Sequence, residues 1–186
     1  MRTILGLTLL FVIGSQAAAD CLSVQVERYE PVGEHKFSVE RLAGPTNLDN
    51  AIERLEVVNA DERDVDTVDS AGKRVRMKQH YYFVSIVLDA TGYSGLKQLQ
   101  LALDQHNPQK LKQGARITVN NSSQGERFWL DHKNKKAYLR LVLSEAQLFP
   151  LLQVVKKPWK DNPAGNSTVN DWEQGKGVPE DATLVQ

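Results

Sequence analysis

Cysteine is almost absent from this chain, because Cys21 is the only cysteine among its 186 residues. One cysteine cannot form a disulfide within the chain, so the fold has to be held together by packing and hydrogen bonds. Small secreted domains of eukaryotes generally carry several cysteines. If the chain is exported, this shortage favours a bacterial protein in the periplasm or the medium.

Long apolar runs are also absent after the first twenty residues, so no membrane-spanning helix is predicted in the rest of the chain. The early apolar run, Ile4 to Ile13, follows the positive charge of Arg2 and is too short to cross a bilayer. Three small residues that end at Ala19 suit the cleavage site of a signal peptidase. We therefore predict a signal peptide over residues 1–19 and a soluble mature chain that begins at Asp20.

Cys21 raises the alternative of a lipid anchor, because bacterial lipoproteins are cleaved directly before a cysteine. The residue before that cysteine is small in lipoproteins, whereas here it is the acidic Asp20. A periplasmic or secreted product without lipid is the favoured prediction, and lipoprotein anchoring at Cys21 is the alternative.

Positive and negative charges balance overall, but they are distributed unevenly along the chain. Residues 20–70 have a net charge of −8, residues 71–160 of +11 and residues 161–186 of −4. In one interpretation, acidic and basic segments lie side by side and neutralise each other. In the other, the central segment presents a cationic surface to an anionic envelope component or an acidic protein.

Hydrophobic patterns predict two strands and a helix in the first third of the chain. Leu22, Val24 and Val26 alternate with polar residues as in a half-buried strand, and residues 37–42 are its predicted hairpin partner. Apolar residues then recur at helical spacing and predict a helix; they are Leu48, Ile52, Leu55 and Val58. Residues 59–73 are acidic and rich in turn formers, so they are predicted to form an exposed connection.

The strongest strand signal runs from Arg74 to Leu88, where β-branched and aromatic residues accumulate. A turn is predicted at Gly92 to Gly95. Residues 96–104 fit either a strand or a helix, and the strand is favoured because Leu99, Leu101 and Leu103 alternate with polar residues.

Further along, Asn107 and Pro108 suit the start of a single helical turn that Gly114 would end. Residues 115–120 are predicted to form a strand, and residues 128–130 and 137–143 a hairpin. Ser144 and Gln147 have the spacing of a capping box for a short helix, which Pro150 is expected to break or kink.

These elements predict a β-rich α+β fold, an antiparallel meander arranged as a sandwich-like or half-barrel sheet with one or two short helices. Residues 20–155 are the predicted single globular domain. Residues 156–186 are polar and rich in Asn, Gly, Asp and Pro, which predicts a flexible, disordered tail.

Catalytic and metal-binding motifs are weak in this sequence. Gly92 to Gly95 is similar to part of the G-x-S-x-G elbow around the nucleophile of α/β-hydrolases, but Leu96 stands where the last glycine is required. Asp131 and His132 are the residues that could serve Ser94 as partners. The four histidines are far apart, and no glycine loop suits a phosphate. Neither a metal, a cofactor nor a catalytic residue is therefore predicted.

The predicted binding site is a basic stripe on the long strand. Arg74, Arg76, Lys78 and His80 share one parity, so they are predicted to line one face. Tyr138 and Arg140 share a parity on a later strand and would extend the stripe if the two strands were neighbours. The alternative interpretation is the ordinary wet face of an antiparallel sheet.

The favoured function is that of an exported, non-enzymatic binding protein whose partner is another protein. An inhibitor or immunity protein that blocks an envelope-acting toxin or hydrolase fits this class, since mixed surface charge suits such an interface. The alternatives are an accessory or structural component of a cell-envelope or secretion complex, and a small hydrolase. Nucleic acid is not an expected partner.

Overall fold

The computed structural model of the protein describes residues 21–34, 36–105, 111–125, 127–155, 160–161 and 178–186. These residues form strands, two α-helices and one 3-10 turn. The elements are β1 (Leu22–Gly33), β2 (Lys36–Asn47), a 3-10 turn (Asp49–Ala51), β3 (Ile52–Val68), β4 (Arg74–Leu88), α1 (Ala90–Leu103), β5 (Lys112–Val119), β6 (Ser122–Gly125), β7 (Phe128–Asp131), β8 (Lys136–Ser144), α2 (Glu145–Val154), β9 (Lys160–Asp161) and β10 (Thr183–Val185).

The described strands form two sheets. A four-stranded sheet has the order β2-β1-β5-β6, and a six-stranded sheet has the order β10-β7-β8-β4-β3-β9. Strands that are consecutive in the sequence pair as antiparallel hairpins, as β1 with β2, β3 with β4 and β7 with β8 do. The β-rich α+β fold with antiparallel meanders that the sequence predicts is therefore confirmed.

The core combines alternate residues of both sheets and one side of each helix in a single apolar cluster. Leu22, Val24 and Val26 of β1 belong to it, as do Leu96 of α1 and Leu148 of α2. Burying one such side chain stabilises the fold by roughly 1.5–3 kcal/mol. The first predicted strand is thus confirmed by pairing and burial, and its hairpin partner, whose residues are exposed or half-buried, is confirmed by pairing.

The helix predicted from Leu48 to Val58 is wrong, because a 3-10 turn and the start of β3 occupy this segment. Irregularities in the pairing with β4 follow Ile52 and Val57, so β3 holds extra residues relative to its partner. Each bulge shifts the side-chain alternation by one residue. Ile52 and Leu55 therefore both reach the core at a spacing of three, which imitates a helix.

The exposed connection predicted over residues 59–73 is also wrong for most of its length. β3 continues to Val68 and pairs antiparallel with β4 from there back to Ile52. The turn itself is short: the Asp69 carboxylate accepts hydrogen bonds from the backbone N–H groups of Ala71 and Lys73, both at 2.9 Å. Gly72 supplies the positive φ of 79° that this turn requires.

The turn at Gly92 to Gly95 and the strand over residues 96–104 are wrong, and the helical alternative is right. Helix α1 begins after Asp89, whose carboxylate caps the N–H groups of Thr91 and Gly92 at 2.9 and 3.1 Å. A Cβ atom at Gly92 would lie only 2.7 Å from the Cβ atom of Leu88. Glycine stands there because the helix packs closely on β4, and not because the chain turns.

The second half of the chain follows its predictions more closely. The hairpin of β7 and β8 is confirmed, and so is the capping box, in which Ser144 N donates to Gln147 Oε1 at 2.9 Å. Pro150 does not end α2, which continues to Val154. Gly114 lies within β5 and does not end a helical turn; the predicted start of that turn at residues 107–108 lies outside the described residues.

Both termini of the chain fall largely outside the described residues, including the predicted signal peptide. Within the predicted tail, β9 pairs parallel with β3 and β10 pairs antiparallel with β7. Val185 of β10 is buried against the core, a contact that the tail prediction did not foresee. Among the described residues, no helix is long and apolar enough to span a membrane.

Candidate functional site

The β3–β4 hairpin extends beyond the strands that flank it. β8 pairs with β4 only over residues 81–88, and β9 pairs with β3 only at residues 56–57. Among the described residues, the outer part, residues 62–68 and 74–80, is therefore a two-stranded arm. Its side chains alternate between two faces, which differ sharply in chemistry.

One face of this arm carries the predicted basic stripe. Its four residues share this face as expected, but β3 places acidic residues directly opposite three of them: Glu62 faces His80, Asp64 faces Lys78 and Asp66 faces Arg76. We call these six residues the charged ladder. The basic stripe on β4 is therefore one half of this face, and the acidic side chains of β3 are the other half.

Charged and titratable groups of the two strands meet along the charged ladder, diagonally for Arg76 and Lys78 and directly for His80. Arg76 Nη2 lies 3.0 Å from Asp64 Oδ2, Lys78 Nζ donates to Glu62 Oε1, and His80 Nε2 lies 3.9 Å from Glu62 Oε2. The hydrogen bond from Lys78 holds the pKa of Glu62 below its usual value, and the same bond raises the pKa of Lys78. Carboxylates of the chain itself thus already engage three groups of the stripe.

Tyr138 and Arg140 lie on β8, which is a neighbour of β4, but they do not extend the stripe. They pair with Val87 and Ser85, residues of the opposite parity to His80. Their side chains therefore lie on the other face of the six-stranded sheet. There the Arg140 guanidinium lies over the indole of Trp129, with 5.6 Å between the guanidinium carbon and the ring centroid. Whether the stripe binds a partner stays a prediction.

Burial shifts the pKa values of both β8 residues, Tyr138 and Arg140. Desolvation raises the pKa of the Tyr138 hydroxyl and lowers the pKa of the Arg140 guanidinium. On the same face of the sheet, the Arg63 guanidinium lies over the rings of Tyr81 and Phe83, at 5.3 and 5.8 Å. Aromatic and cationic groups on this face thus contact one another.

The β1–β2 hairpin extends beyond β5, which pairs with β1 only as far as Tyr29, and it exposes apolar side chains. Phe37 is 61% exposed and Val39 is 49% exposed. Phe37 pairs with Pro31 and Val39 with Tyr29, so all four lie on the face of the four-stranded sheet that points away from the core. We call Tyr29, Pro31, Phe37 and Val39 the outer apolar face.

A buried carboxylate lies next to the outer apolar face. Glu27 is only 3% exposed, and it accepts a hydrogen bond from the Tyr29 hydroxyl at 2.9 Å and pairs with Arg116 Nη2 at 3.0 Å. Burial and the bond to Glu27 raise the pKa of Tyr29. A buried charge needs such partners, since its desolvation is costly. Glu27 therefore fixes Tyr29 and Arg116 in place.

A cavity of about 330 Å³ opens beside this cluster, and we call it the Lys112 cavity. It is lined by Tyr29, Lys112, Gln113, Gly114, Ala115, Arg127 and Gln186. The Lys112 ammonium lies 5.6 Å from the centroid of the Tyr29 ring, within reach of a cation–π interaction. The outer apolar face thus continues into a cavity that has two cationic walls.

Sequence reasoning missed this region, although part of its signal was visible. Gln25, Glu27 and Tyr29 have the same parity on the first predicted strand, which marks them as one face. The pairing of Tyr29 with Lys112 and of Glu27 with Gly114 joins positions more than 80 residues apart. A single strand pattern does not indicate such neighbours.

The residues considered for hydrolytic chemistry do not converge. Ser94 lies in α1 and donates its hydroxyl to the carbonyl of Ala90 at 2.8 Å, while Asp131 binds Asn134 in the β7–β8 turn. His132 Nδ1 lies 2.8 Å from the hydroxyl of Tyr93. Within the described ranges, no three His, Cys, Asp or Glu side chains are grouped as metal ligands.

Comparison with known proteins gives no relative: no family model, no curated protein and no solved structure matches this chain.

Proposed function

We propose that this protein is an exported binding protein that acts by contacting another protein, as an inhibitor or immunity protein of an envelope-acting toxin or hydrolase does. The observation that carries the proposal is the pair of projecting hairpins. Of the eight large apolar side chains that are exposed in the described residues, five lie on them: Val32, Phe37, Val39, Val68 and Met77.

Exposed apolar residues gain free energy when a partner removes them from water, by about 25 cal/mol per Å² of apolar surface. Scattered single residues need no explanation. Phe37 and Val39, however, are neighbours on one face, next to Pro31 and Tyr29. Aromatic side chains next to a cavity are the usual centres of binding energy in protein interfaces.

The shape of the projections also supports an inhibitory role. Two strands are only about 5 Å apart, so a hairpin is narrow enough to enter the cleft of an enzyme. The β1–β2 hairpin is tied to the core at its base, where Leu22, Val24 and Val26 are fully buried. A partner would thus meet a projection that is held in position, which lowers the entropic cost of binding.

Affinity capture from the cell-envelope extract of the host tests this proposal. The exported protein is the bait, beside a variant with Phe37→Ser and Val39→Ser. The control is Phe149→Ser on α2, because Phe149 is exposed to a similar degree, at 52%. We expect a one-to-one complex with a toxin or hydrolase that survives in the control and is lost in the double variant.

Other outcomes would count against the proposal. Co-purification with a multiprotein envelope assembly, independent of Phe37 and Val39, would favour an accessory or structural component. Turnover of an ester or glycan substrate that disappears on Ser94→Ala would favour a hydrolase. Equal capture by all three baits would remove the hairpin as the contact.

A further inference from the structure

We infer that the outer apolar face and the Lys112 cavity together bind a segment of the partner in which a carboxylate lies next to a large apolar side chain. The carboxylate would enter the cavity between Lys112 and Arg127, and the apolar side chain would pack on Phe37 and Val39. This inference rests on the proposed function, because it names the chemistry of the partner protein at that same surface.

The first argument is that one row of side chains crosses three neighbouring strands. Val39 of β2 pairs with Tyr29 of β1, and Tyr29 pairs with Lys112 of β5. Directly paired residues are about 5 Å apart and point to the same face. The apolar end and the cationic end of this row are therefore about 10 Å apart, a span that two neighbouring side chains of a ligand bridge when both turn toward the sheet.

The second argument concerns charge. The Glu27 carboxylate forms an ion pair with Arg116 and accepts a hydrogen bond from the Tyr29 hydroxyl, so Arg116 already neutralises its charge. Lys112 and Arg127 line the cavity and are exposed, and neither forms an ion pair with a carboxylate of the described residues. Among the described lining residues, the side chains thus contribute two positive charges that a ligand carboxylate can neutralise.

The third argument concerns space. Gly114 faces Glu27 across the strand pair, and a Cβ atom at Gly114 would have no neighbour within 4 Å. The missing side chain leaves the cavity open beside Tyr29. A volume of about 330 Å³ lies at the lower end of the range for small-ligand sites, enough for one carboxylate side chain.

The chemistry of the two cations suits a carboxylate. An arginine guanidinium can bind both oxygens of a carboxylate in a planar fork, and a lysine ammonium adds a third charge-assisted hydrogen bond. Because Lys112 lies over the Tyr29 ring, the same ring separates the charged cavity from Val39. A ligand that is acidic and apolar at adjacent positions satisfies both halves.

Nuclear magnetic resonance titration of the ¹⁵N-labelled exported protein tests this chemistry with defined probes. The probe is the dipeptide N-acetyl-phenylalanyl-aspartyl amide, and its matched control carries asparagine in place of aspartate, which has the same shape without the charge. We expect the aspartyl probe to shift the amide signals of Val39, Lys112 and Gly114. The asparaginyl probe should bind roughly tenfold more weakly, the loss of one charge-assisted contact.

Variants locate the site. Lys112→Glu with Arg127→Glu should weaken binding of the aspartyl probe by at least about tenfold, since the cavity would then repel the carboxylate. Gly114→Leu should abolish binding, because the new side chain fills the cavity without a clash. Lys97→Glu on α1 makes the same change of charge away from the cavity and should bind the probe as the unaltered protein does.

Equal binding of the two dipeptides would overturn the inference, and so would unchanged binding by the Lys112 and Arg127 variant. The absence of any shift at Val39, Lys112 and Gly114 up to the solubility limit of the aspartyl probe would also overturn it. None of these results touches the proposed function. That proposal is tested separately, by the capture experiment, and it fails if the Phe37 and Val39 variant retains its protein partner.

Discussion

The two projecting hairpins of this protein share a backbone architecture, but the side chains on their faces differ in chemistry. In the β3–β4 arm, acidic side chains of one strand meet basic side chains of the other, as Asp64 meets Arg76. In the β1–β2 hairpin, Phe37 and Val39 have no such counterpart and remain exposed. Clusters of charge in the sequence therefore do not by themselves mark a binding surface, because the chain itself can neutralise them.

The charged ladder has a role other than strong stabilisation. Exposed ion pairs contribute little to the free energy of unfolding. Unpaired edges of a two-stranded arm invite pairing with other chains, and charged side chains discourage it. The ladder also opposes a slip of register by one residue, since Glu62, Asp64 and Asp66 would then face the uncharged Gln79, Met77 and Val75. The β1–β2 hairpin lacks this protection at its exposed apolar residues, which agrees with the proposal that they form a binding surface.

The largest effect that we predict separates the two hairpins by binding. Phe37→Ser with Val39→Ser should weaken the complex with the protein partner by more than about 3 kcal/mol, roughly 100-fold or more. Val68→Ser with Met77→Ser on the β3–β4 arm should cost much less, because those residues lie far from the Lys112 cavity in the pairing scheme. Isothermal titration calorimetry measures both. Equal losses of binding free energy in the two variants would show that the two hairpins do not differ in their contribution to binding.

The second prediction concerns the carboxylates of the two hairpins. Glu27→Gln should lower the free energy of unfolding by about 2 kcal/mol, because it leaves the Arg116 guanidinium beside a buried site without a counter-charge. Arg116 is partly exposed, which limits the loss. Glu62→Gln in the charged ladder should leave the urea midpoint unchanged within error. If Glu62→Gln proved the more harmful of the two, the ladder would be the stabilising element.

The third prediction concerns the register of the β3–β4 arm. Lys78→Glu places a second carboxylate beside Glu62 and opposite Asp64, and it should speed amide hydrogen exchange in residues 62–68 and 74–80. Adding Glu62→Lys restores one opposite pair and should restore part of the protection, because the carboxylate at position 78 still faces Asp64. Exchange in the β1–β2 hairpin is the internal control and should not change. Failure of the double variant to recover would show that the pair does not hold the arm.

The smallest effect is a dependence of arm protection on pH. The pKa of Glu62 is lowered in the folded state by Lys78, so its contribution is present above the unfolded pKa and is lost as the pH falls through the folded one. The raised pKa of Lys78 sets the upper limit, since that contribution is lost as the pH rises through it. The protection factors of the arm amides, in which the intrinsic pH dependence of exchange is divided out, should therefore fall in strong acid, and in the Glu62→Gln variant this fall should be smaller.

The fold could be predicted from the sequence where a strand has an undisturbed period of two. β4 and β8 were predicted for this reason, because the apolar residues of each strand alternate or are continuous. β3 was not, since its bulges after Ile52 and Val57 interrupt the alternation. Helix α1 was missed because Gly92 and Gly95 suggested a turn, whereas the close approach of Leu88 is what requires glycine at residue 92.

Predicting the candidate site from the sequence requires knowledge of tertiary contacts even more than predicting the fold does. The common face of Arg74 to His80 could be predicted from parity alone. Their acidic partners could not, because the sequence pattern predicts a helix and an exposed connection where β3 lies. The neighbourhood of Val39, Tyr29 and Lys112 depends on pairing across three strands. Cross-strand register between distant segments is not encoded in the pattern of any one of them.

Site-specific photocrosslinking in the host tests most directly whether the outer apolar face contacts a protein. p-Benzoylphenylalanine is introduced at Val39, and in a separate variant at Phe149 as the control for exposure. Illumination of cells should give one discrete crosslinked product at position 39, a complex with one partner protein, and none at position 149. Crosslinks of equal yield at both positions, or only at position 149, would contradict the assignment of the β1–β2 hairpin as the binding surface.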